Sequence, residues 1–201
     1  MNTNVRKLSA KVALVTGGSS GLGLAPAKRF VDGGRHKSKN IMKTFTLLHV
    51  LISLAGIFSG FVVLFGLLVG KRFNGWTAIF LATTVATSVT GFFFPVHHFM
   101  PSHAVGIISL LVLAVASYAR YARQLSGVWR KVYVIAAVAA LYFNVFVGIV
   151  QAFLKVPSLK DLAPTQSEPP FKLAQLAVLA FFIGLAIAAA IRFRSEPAHT
   201  T

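Results

Sequence analysis

The sequence contains no cysteine. That excludes disulfides, thiolate metal sites, iron–sulfur clusters and a cysteine nucleophile, and leaves the compartment open. Acidic residues are almost as scarce: four Asp plus Glu stand against 20 Lys plus Arg, a formal net charge of +16, and only 12% of residues are charged. Soluble chains carry roughly a quarter. Near the start the longest apolar stretch is "VALVT", shorter than the roughly seven to fifteen residues of a secretory h-region. No Asp or Glu falls within the long apolar runs, which disfavours a transporter that couples protons or sodium through a buried carboxylate.

Apolar residues are abundant, at 56% of the chain. About 18 or more apolar residues in a helix rising roughly 1.5 Å per residue span a hydrocarbon core of about 30 Å. Five segments meet that length: 46–69, 76–96, 104–122, 132–153 and 173–191. The second is rich in threonine and ends at Pro95. A soluble bundle would show a polar stripe every 3.6 or so residues, whereas these segments are apolar nearly all round. The expectation is an all-α polytopic transmembrane bundle of about five helices with the lipid bilayer as its solvent, and no nucleic-acid partner despite the basic charge.

Small residues four apart (Gly56 with Gly60, Ala55 with Ser59, Gly66 with Gly70) suit close helix packing and make a homo-oligomer an expectation. In the second segment Thr83, Thr87 and Thr90 form one polar line, and Thr84, Ser88 and Gly91 the next. Asn144 and Gln151 place amides in the fourth, where an unpaired amide is costly.

Loop cations set an orientation. Lys71, Arg72, Arg120, Arg123, Arg130, Lys131, Arg192 and Arg194 share one face; Lys43, Lys155, Lys160 and Lys172 share the other. Eight against four puts the first face in the cytoplasm. The eight cations of the first forty residues (Arg6, Lys7, Lys11, Lys28, Arg29, Arg35, Lys37 and Lys39) belong to the second face and reverse that balance.

Those first forty residues carry a motif. In "KVALVTGGSSGLGLAPAKRFVDGG", residues 11–34, an apolar strand, a glycine turn and a helix N-terminus would offer backbone N–H groups to a pyrophosphate. The stretch resembles the opening of short-chain dehydrogenases, whose T-G-x-x-x-G-x-G fingerprint matches Thr16, Gly17, Gly21 and Gly23. The resemblance implies a Rossmann-like β-α fragment with NAD(P) at those four residues. It covers 24 of 201 residues. The family's Tyr and Lys four apart are missing: Tyr118, Tyr121, Tyr133 and Tyr142 are followed at that spacing by Ala122, Leu125, Ala137 and Phe146. The expectation is therefore residues 1–41 as a truncated dehydrogenase-like or basic disordered segment, with "NIMKTF" at Met42 as an alternative start, and 42–201 as the membrane domain. That domain is similar to small multi-pass proteins of bacterial cytoplasmic membranes, a likeness that assigns no residue a role.

Four of the six histidines (His49, His97, His98 and His103) fall on the second face, together with Asp161 and Glu168. Imidazoles with carboxylates are ligands for zinc, copper or non-haem iron, and facing histidines hold haem. Of three functional readings, the first is a binding, scaffolding or solute-passage protein with no catalytic residues and no cofactor, and the second a redox or metal protein using the histidines. A tethered dehydrogenase is the third.

Overall fold

The computed structural model describes residues 21–94 and 101–193, with side chains from Asn40 to Phe94 and from His103 to Phe193. The helices are α1 (Gly21–Leu68), α2 (Asn74–Gly91), α3 (Pro101–Ser117), α4 (Trp129–Lys155), α5 (Pro157–Leu162) and α6 (Pro169–Arg192). A π-helical turn, Tyr118–Ala122, continues α3. Two compact units, Met1–Leu47 and Leu48–Thr201, divide the chain. The backbone of α1 crosses their boundary without a break.

The expected β-α fragment is corrected by α1. The proposed strand at Val12–Thr16 lies outside the described residues, and no strand occurs among those described. The helix that begins at Gly21 continues for 48 residues through Gly33 and Gly34, where a dinucleotide fold turns back toward a second strand. A helix satisfies its own backbone bonds locally; a parallel strand needs partners on both sides, and the following sequence supplies none.

The span count is corrected as well. Among the described residues four helices, not five, are long and apolar enough to cross a membrane: Asn40–Leu68, His103–Ala122, Trp129–Lys155 and Pro169–Arg192. The fifth candidate, 76–96, corresponds to α2. It reaches the necessary 18 residues and ends at Gly91, but five threonines and a serine lower its apolarity.

α4 is the centre of the second unit and packs against α3 and α6. Val134, Ala137, Ala140 and Leu141 of α4 are buried together with Val63 and Leu64 of α1, Phe80 of α2, Leu113 of α3 and Phe182 of α6. Alanines along α4 let its neighbours approach, as association without water requires. At the α1 crossing the small residue is Gly60: a Cβ there would lie 2.5 Å from Leu141 Cδ1 and 2.9 Å from Phe80 Cε2. The small residues Gly56, Ser59 and Gly60 are thus used within the chain. Gly70 has another role. Its φ of +74°, with Lys71 N–H donating to Gly66 O at 2.8 Å and Gly70 N–H to Leu67 O at 3.3 Å, makes a Schellman cap that stops α1 and turns the chain into α2.

Outside this core the surface is apolar. Phe58, Leu111, Phe181 and Ile191 are each at least 60% exposed, at 64, 63, 60 and 67%. Large apolar side chains exposed in such number suit lipid as the solvent.

Candidate functional site

A polar seam runs between α1, α2 and α4. Asn144 Nδ2 of α4 donates to Thr84 Oγ1 of α2 at 3.1 Å. Gly56 of α1 provides the room: a Cβ there would stand 3.3 Å from Asn144 Nδ2, 3.3 Å from Thr83 Oγ1 and 3.4 Å from Thr84 Oγ1. The remaining hydroxyls mostly turn back on their own helices. Ser59 donates to Ala55 O at 2.7 Å, Thr83 to Ile79 O at 2.7 Å and Thr77 to Phe73 O at 2.9 Å. Such back-bonding is the local alternative open to Ser and Thr in a helix. The buried Thr87 Oγ1 finds no hydrogen-bond partner among the described residues. Below Thr84 the seam is closed by Phe80 and Leu141, each 1% exposed, packed around Gly60.

At the upper end of the seam His49 Nδ1 lies 2.8 Å from Thr90 Oγ1. Thr90 has one proton, and its hydroxyl donates to Ala86 O at 2.7 Å. With that proton on Ala86 O, the Thr90 oxygen accepts from the Nδ1–H tautomer of His49, whose Nε2 then keeps its lone pair. The ring meets Phe94 edge-on at 5.0 Å. His103 packs against Phe92 with centroids 5.7 Å apart. His97 and His98 lie outside the described residues, and among those described no group of three or more His, Cys, Asp or Glu converges as a metal site. Of the nicotinamide candidates, Thr16 and Gly17 also lie outside, while Gly21 and Gly23 form the first turn of α1.

The carboxylate of Glu168 is spent on its own turn, between α5 and α6. It accepts from Thr165 N–H at 3.1 Å, Thr165 Oγ1 at 2.7 Å and Ser167 N–H at 3.0 Å. The Thr165 hydroxyl above all holds this carboxyl below the usual range against an opposing desolvation, with lesser help from the backbone N–H groups. Gln166 anchors the same segment to α4 by donating to Val150 O at 3.1 Å. The loop between α4 and α6 is therefore a built structure rather than a plain linker.

The opposite end of the bundle is cationic. Arg120 Nη2 donates to Asn74 Oδ1 at 2.6 Å, and its guanidinium lies 5.5 Å from the Tyr133 ring centroid. Arg123 covers Trp129 at 5.3 Å and Arg72 covers Phe193 at 5.8 Å. Lys71, Arg130, Lys131 and Arg192 complete this end. The carboxylates among the described side chains, Asp161 and Glu168, belong to the other end. Aromatic faces take the place of acids in holding these guanidinium groups.

Gln175 was invisible to pattern reasoning. It is buried on α6, donates from Nε2 to Phe146 O at 3.3 Å, and its Oε1 has no partner among the described residues. A lone amide in "LAQLAVLAFF" was the available signal, the same one that marks Asn144.

Chemically, the arrangement ties helices to one another. Nucleophilic catalysis needs a hydroxyl whose proton faces a base, with a third group orienting that base. His49 with Thr90 comes nearest among the described residues, but the threonine proton is directed to a carbonyl and Glu168 is engaged elsewhere. No protein-family model matches this chain, and no curated protein and no solved structure matches it either.

Proposed function

We propose that the chain is a multi-pass binding or scaffolding protein of a bacterial cytoplasmic membrane, with its cationic end in the cytoplasm. The carrying observation is the closed seam. Most polar groups of the seam are engaged with one another or with their own turns, Thr87 Oγ1 excepted, and Phe80 with Leu141 blocks the path beneath them. Solute passage is the weaker form of this reading, since it needs that block to move. Orientation rests on the charge of the described residues of the second unit, Leu48–Thr201: Lys71, Arg72, Arg120, Arg123, Arg130, Lys131 and Arg192 make seven cations at one end, against Lys155, Lys160 and Lys172, three, at the other, a count that leaves out Lys43 and the eight cations of the first forty residues. The test is flux of small ions and neutral solutes through proteoliposomes holding the full chain. The reading expects the rate of protein-free liposomes; a protein-dependent flux abolished by Asn144→Leu would overturn it.

A second reading, a metal- or haem-binding role, is favoured by the acceptor Nε2 of His49 at the end where His103 also stands. Haem would give a visible absorption band, and a metal would be stoichiometric in elemental analysis. Both would disappear on combined replacement of His49, His97, His98 and His103.

A further inference from the structure

Between α4 and α6, at the cationic end, lies an open groove of about 630 Å³. Arg130 and Lys131 of α4 form its head. Ile135 of α4 with Ile187 and Ile191 of α6 form its walls, and Ala186 with Ala190 keeps it open by the smallness of their side chains. From Arg130 to Ile135, or from Ile191 to Ala186, is five residues, about 7 Å along a helix. That is the depth over which a bilayer passes from headgroup to acyl chain.

Two features of the head are unusual. Arg130 and Lys131 occupy the first turn of α4, the positive pole of a 27-residue helix, where cations are unfavourable and acids are favoured. That turn contains no acidic residue, and the N-cap, Val128, supplies no side-chain cap. Both the macrodipole and the two side chains therefore attract an anion. No carboxylate stands among the described residues that line the groove, so there the ammonium of a zwitterionic headgroup would find no counter-charge. A free inorganic anion would use the head and leave the apolar trough empty.

We propose that this groove is a binding site for one anionic glycerophospholipid of the surrounding bilayer, with its phosphate between Arg130 and Lys131 and an acyl chain along Ile135, Ile187 and Ile191. This rests on the binding role proposed above and names its ligand class. Basic pockets between transmembrane helices on the cytoplasmic side take such headgroups.

The test uses the full chain in phosphatidylcholine nanodiscs doped with phosphatidylglycerol, with bound lipid counted by native mass spectrometry. Phosphatidylglycerol is expected to be retained over phosphatidylcholine. With each interfacial cation contributing about a factor of five, Arg130→Ala with Lys131→Ala should weaken retention about thirtyfold. Lys71→Ala with Arg123→Ala removes the same charge from the same end outside the groove and should change it less than about threefold. Ala190→Phe keeps every charge, fills the trough and should lose the lipid too, which guards against misfolding of the charge variant. Equal loss in the two charge pairs would overturn the site in favour of general surface attraction. Displacement by inorganic phosphate at matched concentration would overturn the lipid, and a dimer that Ala190→Phe converts to monomer would give the groove to a second copy. Solute flux of the same variants in proteoliposomes is read separately, so a failed lipid site and a failed binding role are distinguishable.

Discussion

Replacing Gly60 with alanine tests the packing at the point where α1 meets α2 and α4. The added methyl would stand 2.5 Å from Leu141 Cδ1 and 2.9 Å from Phe80 Cε2, whereas carbon atoms prefer about 3.5–4.0 Å. Each neighbour must yield by about 1 Å, and both are 1% exposed within the core. Overpacking of this kind costs about 1–3 kcal/mol, against which alanine recovers about 1 kcal/mol of helix propensity. The control is Gly184→Ala on α6, where the added methyl would meet nothing within 4 Å; it should be neutral or stabilising by up to about 1 kcal/mol. Reversible unfolding in detergent, measured for both variants, should separate them by about 1–3 kcal/mol. A second substitution, Leu141→Ala, creates space beside residue 60, so its cost should be smaller in the Gly60→Ala background than in the parent. Equal stability of Gly60→Ala and Gly184→Ala would refute the close crossing.

Asn144→Leu removes the donor to Thr84 and should cost about 0.6–2 kcal/mol in the same unfolding assay, the range for interhelical bonds in lipid; no loss would mean that the bond does not form. Glu168 predicts a pH dependence outside the membrane. Its carboxyl is held low in the folded loop by Thr165, so the stabilisation is present above the ordinary glutamate pKa and is lost as pH falls through the depressed folded value. Hydrogen exchange at Thr165 and Ser167 should accelerate on acidification, and Glu168→Gln should abolish that acid step. NADH fluorescence should be unchanged by the full chain, because α1 continues where a cofactor fold would turn; a saturable change lost in Gly21→Val with Gly23→Val would contradict this.

The membrane helices were legible because apolar runs long enough to cross a bilayer have few other uses, and the clustering of cations followed from the alternation of those runs with short loops. Asn144 was legible as a lone amide in an apolar segment. On α2 the two polar lines serve both uses open to such hydroxyls: Thr84, Ser88 and Thr90 bond side chains of α4, α3 and α1, while Thr83 turns back on Ile79. The reason is geometric, because α2 meets α1 and α4 on one side and α3 on the other, where Ser88 lies 3.4 Å from Ser109. Gly70 resembled a packing residue by its spacing, but a left-handed cap needs the same residue type. The glycines of residues 17–34 fit a family fingerprint locally, and the fold of such a segment depends on distant strands that a local motif does not contain.

The central claim is a helical bundle crossing the membrane with its cationic end in the cytoplasm. Because the chain has no cysteine, single cysteines can report it, introduced as Ser126→Cys in the loop before α4 and Ser158→Cys in α5. Labelling with a membrane-impermeant maleimide in intact bacterial cells should modify Ser158→Cys at once and Ser126→Cys only after lysis. Labelling of both in intact cells, protection of both, or the reverse pattern would contradict the account.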